Sequence, residues 1–187
     1  MISLGPSRAE EEKTKYEDIW SFKAYNKYSP GERFARIFSE MVTEPDCTIL
    51  DIGCGSGKGG LALRDLGYDV TFFDIAKIGE LEPFIQAPVW SDWPRHRPTN
   101  FDYGFCCDVL EHIPTEYMGL SIHQILKACD EIFFSIGLER DSYGDLIKAE
   151  LHLTIRPYIW WRDFLQEFGE LKDARDLGTN GLYWLSR

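Results

Sequence analysis

The segment Cys47-Thr48-Ile49-Leu50-Asp51-Ile52-Gly53-Cys54-Gly55-Ser56-Gly57-Lys58-Gly59-Gly60 decides how the rest of the chain is read. Its first seven residues are a short apolar run closing on glycine, the pattern of a buried strand. Alternating glycines follow, and KGGLALRDLG (58–67) then reads as a helix ending at Gly67, a residue suited to the position past a helix terminus. A strand that closes on glycines and opens a helix brings backbone N–H groups close to a ligand, because no Cβ stands in the way.

Strands and helices alternate outward from this point. DVTFFDI (69–75), APVW (87–90), FDYGFCC (101–107) and EIFFSIG (131–137) read as strands, and 115–128 and PYIWWRDFLQEF (157–168) as helices. Upstream, Phe34, Ile37, Phe38 and Met41 fall at helical spacing after a Ser29-Pro30-Gly31 break. LKDARDLG and GLYWLSR, joined through Thr179-Asn180-Gly181, predict a terminal antiparallel hairpin. Residues 1–15 are charged and expected to fray. The alternation predicts an open, mostly parallel α/β sheet with one antiparallel edge, whose ligand lies at the carboxyl ends of the strands.

With 187 residues, 44% of them hydrophobic, the chain is one domain's worth and can bury a full core without metal or disulfide staples. Twenty Lys+Arg against 31 Asp+Glu leave a net charge of −11, which argues against non-specific nucleic-acid binding and against an anionic membrane surface. Cys47, Cys54, Cys106, Cys107 and Cys129 form no zinc spacing and read as reduced, partly buried thiols. The polar, acidic start and the absence of a long apolar run predict a soluble, cytoplasmic protein.

Three ligands compete for the glycine loop. A P-loop fails, because Ile52 stands where its first glycine belongs and Gly59 where its hydroxyl belongs. The dinucleotide spacing G-x-G-x-x-G matches at Gly55, Gly57 and Gly60, but it starts late and leaves the Asp51 carboxylate inside the strand. The third reading starts at the acid. Asp51-x-Gly53-x-Gly55-x-Gly57 resembles the first motif of class I (Rossmann-like) S-adenosylmethionine-dependent methyltransferases. Asp74 ends the next strand, where a carboxylate suits a ribose diol. Ser91-Asp92-Trp93 follows the third expected strand, and Cys107-Asp108-Val109-Leu110-Glu111-His112-Ile113 closes the fourth.

The resemblance spans roughly residues 45–136 and implies a doubly wound, seven-stranded sheet with one antiparallel terminal strand and helices on both faces. Residues 1–44 would form an aromatic lid or helix, 45–137 the cofactor-binding core, and 138–187 a substrate-side segment with the hairpin. Asp51, Gly53, Cys54, Gly55, Gly57, Asp74, Ile75, Asp92, Trp93 and Cys107 would hold S-adenosylmethionine, with Trp20 and Tyr25 covering it, and S-adenosylhomocysteine would be the product. The expected activity is in-line methyl transfer to oxygen or nitrogen of a small-molecule acceptor.

Asp108, Glu111 and His112, at i, i+3 and i+4, would share one face of a helical turn, and His152 follows the fifth strand on the same edge. His112 and His152 are the candidate bases, since either imidazole titrates near neutral pH. In metal-dependent O-methyltransferases of the superfamily, including small-RNA 2′-O-methyltransferases, a similar set binds a divalent cation. Here Asp108, Glu111, His112 and His152 would be that set, with Asp one methylene shorter than the usual Glu. A structural role for this turn, and a cofactor-binding module without transfer activity, stay open beside it.

Overall fold

A computed structural model of the chain describes residues 7–27, 29–42, 44, 46–93 and 100–187. Seven strands, β1 (Thr48–Ile52), β2 (Asp69–Asp74), β3 (Phe84–Gln86), β4 (Phe101–Cys107), β5 (Cys129–Gly137), β6 (Glu170–Asp176) and β7 (Asn180–Ser186), form one sheet in the order β3-β2-β1-β4-β5-β7-β6. All pairs from β3 to β5 are parallel, and β7 runs antiparallel to both β5 and β6. The helices are α1 (Arg8–Trp20), α2 (Pro30–Met41), α3 (Lys58–Asp65), α4 (Met118–Ala128) and α5 (Tyr158–Leu165).

Consecutive strand residues point to opposite faces, so paired hydrophobics feed two cores at once. Ile49, Phe72, Phe105 and Phe133 meet Phe34 and Phe38 of α2 and Leu63 of α3. Their chain neighbours Leu50, Phe73, Cys106 and Phe134 meet Ile122 and Ile125 of α4 and Trp161 and Leu165 of α5. Phe38 anchors the first core: it is fully buried, stacked on Trp184 and edge-on to Tyr68, Tyr103, Phe105 and Phe133. Chain direction across the sheet reverses between β1 and β4, so a crevice opens at their carboxyl ends.

Three expectations need correction. The third strand is Phe84–Gln86 and not 87–90, where Pro88 has no N–H to offer the ladder. The hairpin turns at Leu177–Thr179, with Gly178 at φ +84° and Leu177 N–H donating to Asn180 O, one register earlier than the Asn-Gly pair suggests. Residues 8–15 are helical, not frayed: Ser7 and Glu10 form a reciprocal capping box at the start of α1. That helix has almost no apolar residue before Tyr16, and its buried Glu12 is held by Arg8 at 2.8 Å and by Lys15 at 2.5 Å. The five cysteines are buried thiols. No helix among the described residues is long and apolar enough to cross a membrane.

Candidate active site

Gly53, Gly55 and Gly57 lie at φ +68°, +50° and +78°, so the loop after β1 winds through left-handed conformations that only glycine adopts without strain. There is no room for side chains either: a Cβ on Gly55 would stand 2.2 Å from the Trp20 ring, and one on Gly53 2.3 Å from Val109. Gly60 is small for another reason. Asp51 shares the α3-facing side of β1, and its Oδ2 accepts the Gly60 N–H at 2.9 Å, where a Cβ would collide with it. The third glycine of the dinucleotide spacing is thus explained by strand–helix packing, and β1 ends at Ile52, before the turn that spacing would need.

Asp51 is buried, and among the described residues no cationic side chain pairs with it. Burial pushes its carboxyl up to about 7, against the opposing Gly60 hydrogen bond. Asp74 ends β2 and fastens the loop: its two oxygens accept the Gly55 N–H at 2.8 Å and the Ala76 N–H at 2.9 Å. A carboxylate has about four lone-pair sites, so acceptor capacity remains for a diol.

Above the loop lies an open cleft. Its walls are largely apolar, with Ile75, Val89, Trp90 and Val109 on the side of β2 and β4 and with Tyr16, Trp20 and Tyr25 closing it from the N-terminal segment. A second chamber, reached past Trp20, Tyr25, Asp108 and His112, adds Asp51, Cys54, Cys107, Tyr143 and His152. Trp20 stacks edge-on against Tyr25, and Tyr25 against Tyr143, which ties the N-terminal strap to the segment after β5.

Where the chambers meet, four side chains converge. One ligand atom from each of Asp108, Glu111, His112 and His152 lies within 4.8 Å of the others. The expected helical face is not how they are brought together. Asp108 stands at φ +62°, and only Leu110–His112 form a 3-10 turn. The 151–154 segment supplies the rest. Leu153 and Thr154 N–H both donate to Glu111 O, and the Thr154 hydroxyl donates to Ile113 O and contacts the Thr115 hydroxyl. His112 Nδ1 lies 3.1 Å from Leu151 O and His152 Nδ1 2.6 Å from Glu139 O. A carbonyl only accepts, so both Nδ1 atoms carry a proton and Nε2 is the ring nitrogen left for other groups.

Glu111 is fully buried, its Oε1 accepting the Gly137 N–H while Oε2 has no hydrogen-bond partner. Burial, and then the Asp108 charge, push its carboxyl well up. Burial opposes ionisation of Asp108, but His112 beside it outweighs that and holds it below the usual range. Burial, with His112 nearby, lowers His152 and favours its neutral form. Oxygen and imidazole donors in this mixture suit a divalent cation such as Mn²⁺, Zn²⁺ or Mg²⁺.

Of the residues singled out from sequence, Asp51, Gly53, Cys54, Gly55, Asp74, Ile75, Cys107, Trp20, Tyr25, His112 and His152 line the two chambers, as does Asp108. Gly57 caps α3 beneath Leu81 and does not line them, and Glu111 sits just behind. Asp92 is exposed, and Trp93 is buried against Phe73 behind the wall that Val89 and Trp90 form. Tyr28, a further aromatic of the expected N-terminal lid, lies outside the described residues. Glu12 and Tyr143 were not foreseen as lining residues, whereas Tyr16 belongs to the aromatic segment expected to cover the site. Tyr16 and Trp20 at i and i+4 share one face of α1, a signal visible only once that segment is read as a helix.

The family profile described as tellurite resistance protein TehB matches residues 13–85. A ubiquinone biosynthesis O-methyltransferase of Xanthomonas campestris is 32% identical over 99 residues, covering 47% of this chain and 39% of that protein. The chain therefore matches about two-fifths of the length of this curated relative. Among solved structures, the 1,6-didemethyltoxoflavin-N1-methyltransferase of Burkholderia thailandensis, with bound 1,6-didemethyltoxoflavin and S-adenosylhomocysteine, superposes with a TM-score of 0.72 at 14% identity, covering 100% of this chain and 93% of that one. A TehB-like S-adenosylmethionine-dependent methyltransferase from Corynebacterium glutamicum gives 0.63 at 17% identity, covering 95% and 99%. In strand order, and in the way the glycine loop, Asp74 and the Asp108–Ile113 turn follow their strands, the chain has the Rossmann-like fold of these solved S-adenosylmethionine-dependent methyltransferases.

Proposed function

We propose that the chain binds S-adenosylmethionine across the two chambers and methylates an oxygen or nitrogen of a small-molecule acceptor. The carrying observation is Asp51, a buried carboxyl held near 7 with no cationic partner among the described residues, beside a glycine loop too tight for any side chain. Such a group suits a ligand whose end is cationic and repels a diphosphate. Asp74 suits the ribose hydroxyls, and the apolar wall of Val89 and Trp90 suits a nucleobase. An O-methyltransferase and an N-methyltransferase among the similar proteins support a small acceptor without choosing its atom.

Held by the glycine loop, Asp51 and Asp74, the cofactor would supply an electrophilic methyl to the acceptor's lone pair, with a neutral thioether as the leaving group. The chain's own work is to hold the two partners in line and dry, which is most of what this displacement needs. Tyr16, Trp20 and Tyr25 exclude water, and Nε2 of His112 or His152 accepts the proton of a hydroxyl or ammonium acceptor.

One observation favours a second reading, O-methylation assisted by a divalent cation held by Asp108, Glu111, His112 and His152. Both imidazoles have Nδ1 fastened to a backbone carbonyl, as metal-binding histidines do, and Glu111 Oε2 is buried without a partner. A bound cation would favour the anionic form of an acceptor hydroxyl. Calorimetry with S-adenosylhomocysteine, followed by turnover assays on phenols and amines with Mn²⁺ or with EDTA, tests both readings. Binding without any turnover would favour a cofactor-binding module instead.

A further inference from the structure

The inner face of α1 brings Tyr16 into the cleft with its hydroxyl out of reach of solvent and without a hydrogen-bond partner. A buried hydroxyl seldom goes unpaired, so an orphan in a ligand cleft points to a group the ligand supplies. Its placement says which ligand. The Tyr16 ring stands edge-on to His112, with centroids 5.8 Å apart, on the side of the four-residue cluster. Trp20, one turn further along α1, covers the glycine loop instead. The cofactor's cationic end and ribose already have Asp51 and Asp74. Beside the cluster, the Tyr16 hydroxyl is a donor that no protein acceptor takes up, so it is left for a lone pair of the bound acceptor.

We propose that Tyr16 is an acceptor-binding residue whose hydroxyl donates a hydrogen bond to an oxygen or nitrogen lone pair adjacent to the atom being methylated. The preferred acceptor is then a small molecule with two neighbouring heteroatoms, one reacting and one recognised. This rests on the methyl-transfer reading above.

The test compares wild type with Tyr16→Phe, which keeps the ring against His112. Calorimetry first measures S-adenosylhomocysteine, then measures catechol, 2-hydroxybenzoate and 2-methoxyaniline against phenol and aniline on the saturated complex. Where methyl transfer is seen, KM and kcat are read on the same pairs. Wild type is expected to prefer the paired-heteroatom members. Tyr16→Phe is expected to weaken those alone by about 10- to 100-fold, the loss typical of one hydrogen bond to a polar or charged group. S-adenosylhomocysteine affinity should stay within about twofold, which also certifies that the variant is folded.

A parallel loss of S-adenosylhomocysteine affinity would overturn the inference, because the hydroxyl would then serve the cofactor. It would also be overturned by equal losses on both members of each pair, or by a wild type that binds none of the paired compounds. If wild type itself fails to bind S-adenosylhomocysteine, the methyltransferase reading fails, and that outcome is distinct from the other three.

Discussion

Replacing Asp51 by Asn exposes a conflict between stability and binding at one buried atom. In the wild type the carboxyl sits near 7, against an ordinary value of 3.8. The folded state therefore holds a proton that the unfolded chain releases. Its contribution to stability is complete below about pH 4 and is lost as pH rises through about 7. That difference is worth roughly 4 kcal/mol as an upper bound. Binding of a cationic ligand runs the other way, since it needs the ionised form. About a tenth of the carboxyl is ionised at pH 6 and about nine-tenths at pH 8, so affinity should rise about tenfold over that interval. At pH 7 binding should release about half a proton per ligand, measurable by calorimetry in buffers of different ionisation enthalpy. Asp51→Asn keeps an acceptor for the Gly60 N–H and removes the charge. The variant should unfold at higher urea than wild type at pH 8, yet bind S-adenosylmethionine about 10- to 100-fold more weakly, with a flat pH profile. A wild-type affinity that does not change between pH 6 and 8, or an Asn variant that binds as tightly, would refute the pairing of this acid with a cationic ligand.

Three further outcomes are expected. Gly55→Ala places a Cβ 2.2 Å from Trp20 at φ +50°, so S-adenosylhomocysteine affinity should fall at least about tenfold in calorimetry while far-UV circular dichroism is unchanged. Thr154→Val deprives Ile113 O and the Thr115 hydroxyl of a buried partner and loosens the segment carrying His152; Mn²⁺ or Co²⁺ affinity should drop severalfold, and Thr154→Ser should restore it together with the Co²⁺ absorption spectrum. Phe38→Ala empties the centre of the ring cluster on the α2 face and should cost about 3–5 kcal/mol in urea unfolding, without altering the cation site.

The legible parts of the fold were those where local pattern and burial agree. Ile49–Leu50, Phe72–Phe73 and Phe133–Phe134 are buried on both faces, so the central strands read as plain apolar runs, and FDYGFCC coincides with β4. The glycine loop was legible because left-handed conformations leave a compositional mark. Edge elements were harder: β3 has only three residues, too short a run to stand out, and 87–90 looks strand-like because Val89 and Trp90 are hydrophobic for the sake of the cleft wall. α1 was hidden for an electrostatic reason, since its inward Glu12 is neutralised by Arg8 and Lys15 and reads as solvent-facing. The cluster at His112 was found by the right residues and the wrong geometry. Its closeness comes from the hydrogen-bonded 151–154 segment, a contact 39 residues away in sequence that no local spacing reveals.

The most direct measurement is calorimetric titration of the wild-type chain at pH 8 with S-adenosylhomocysteine and, separately, with NAD. Saturable one-to-one uptake of the thioether nucleoside and no heat from the dinucleotide are expected. Uptake of NAD with none of S-adenosylhomocysteine would contradict the assignment of the aspartate-led glycine loop to a cationic nucleoside.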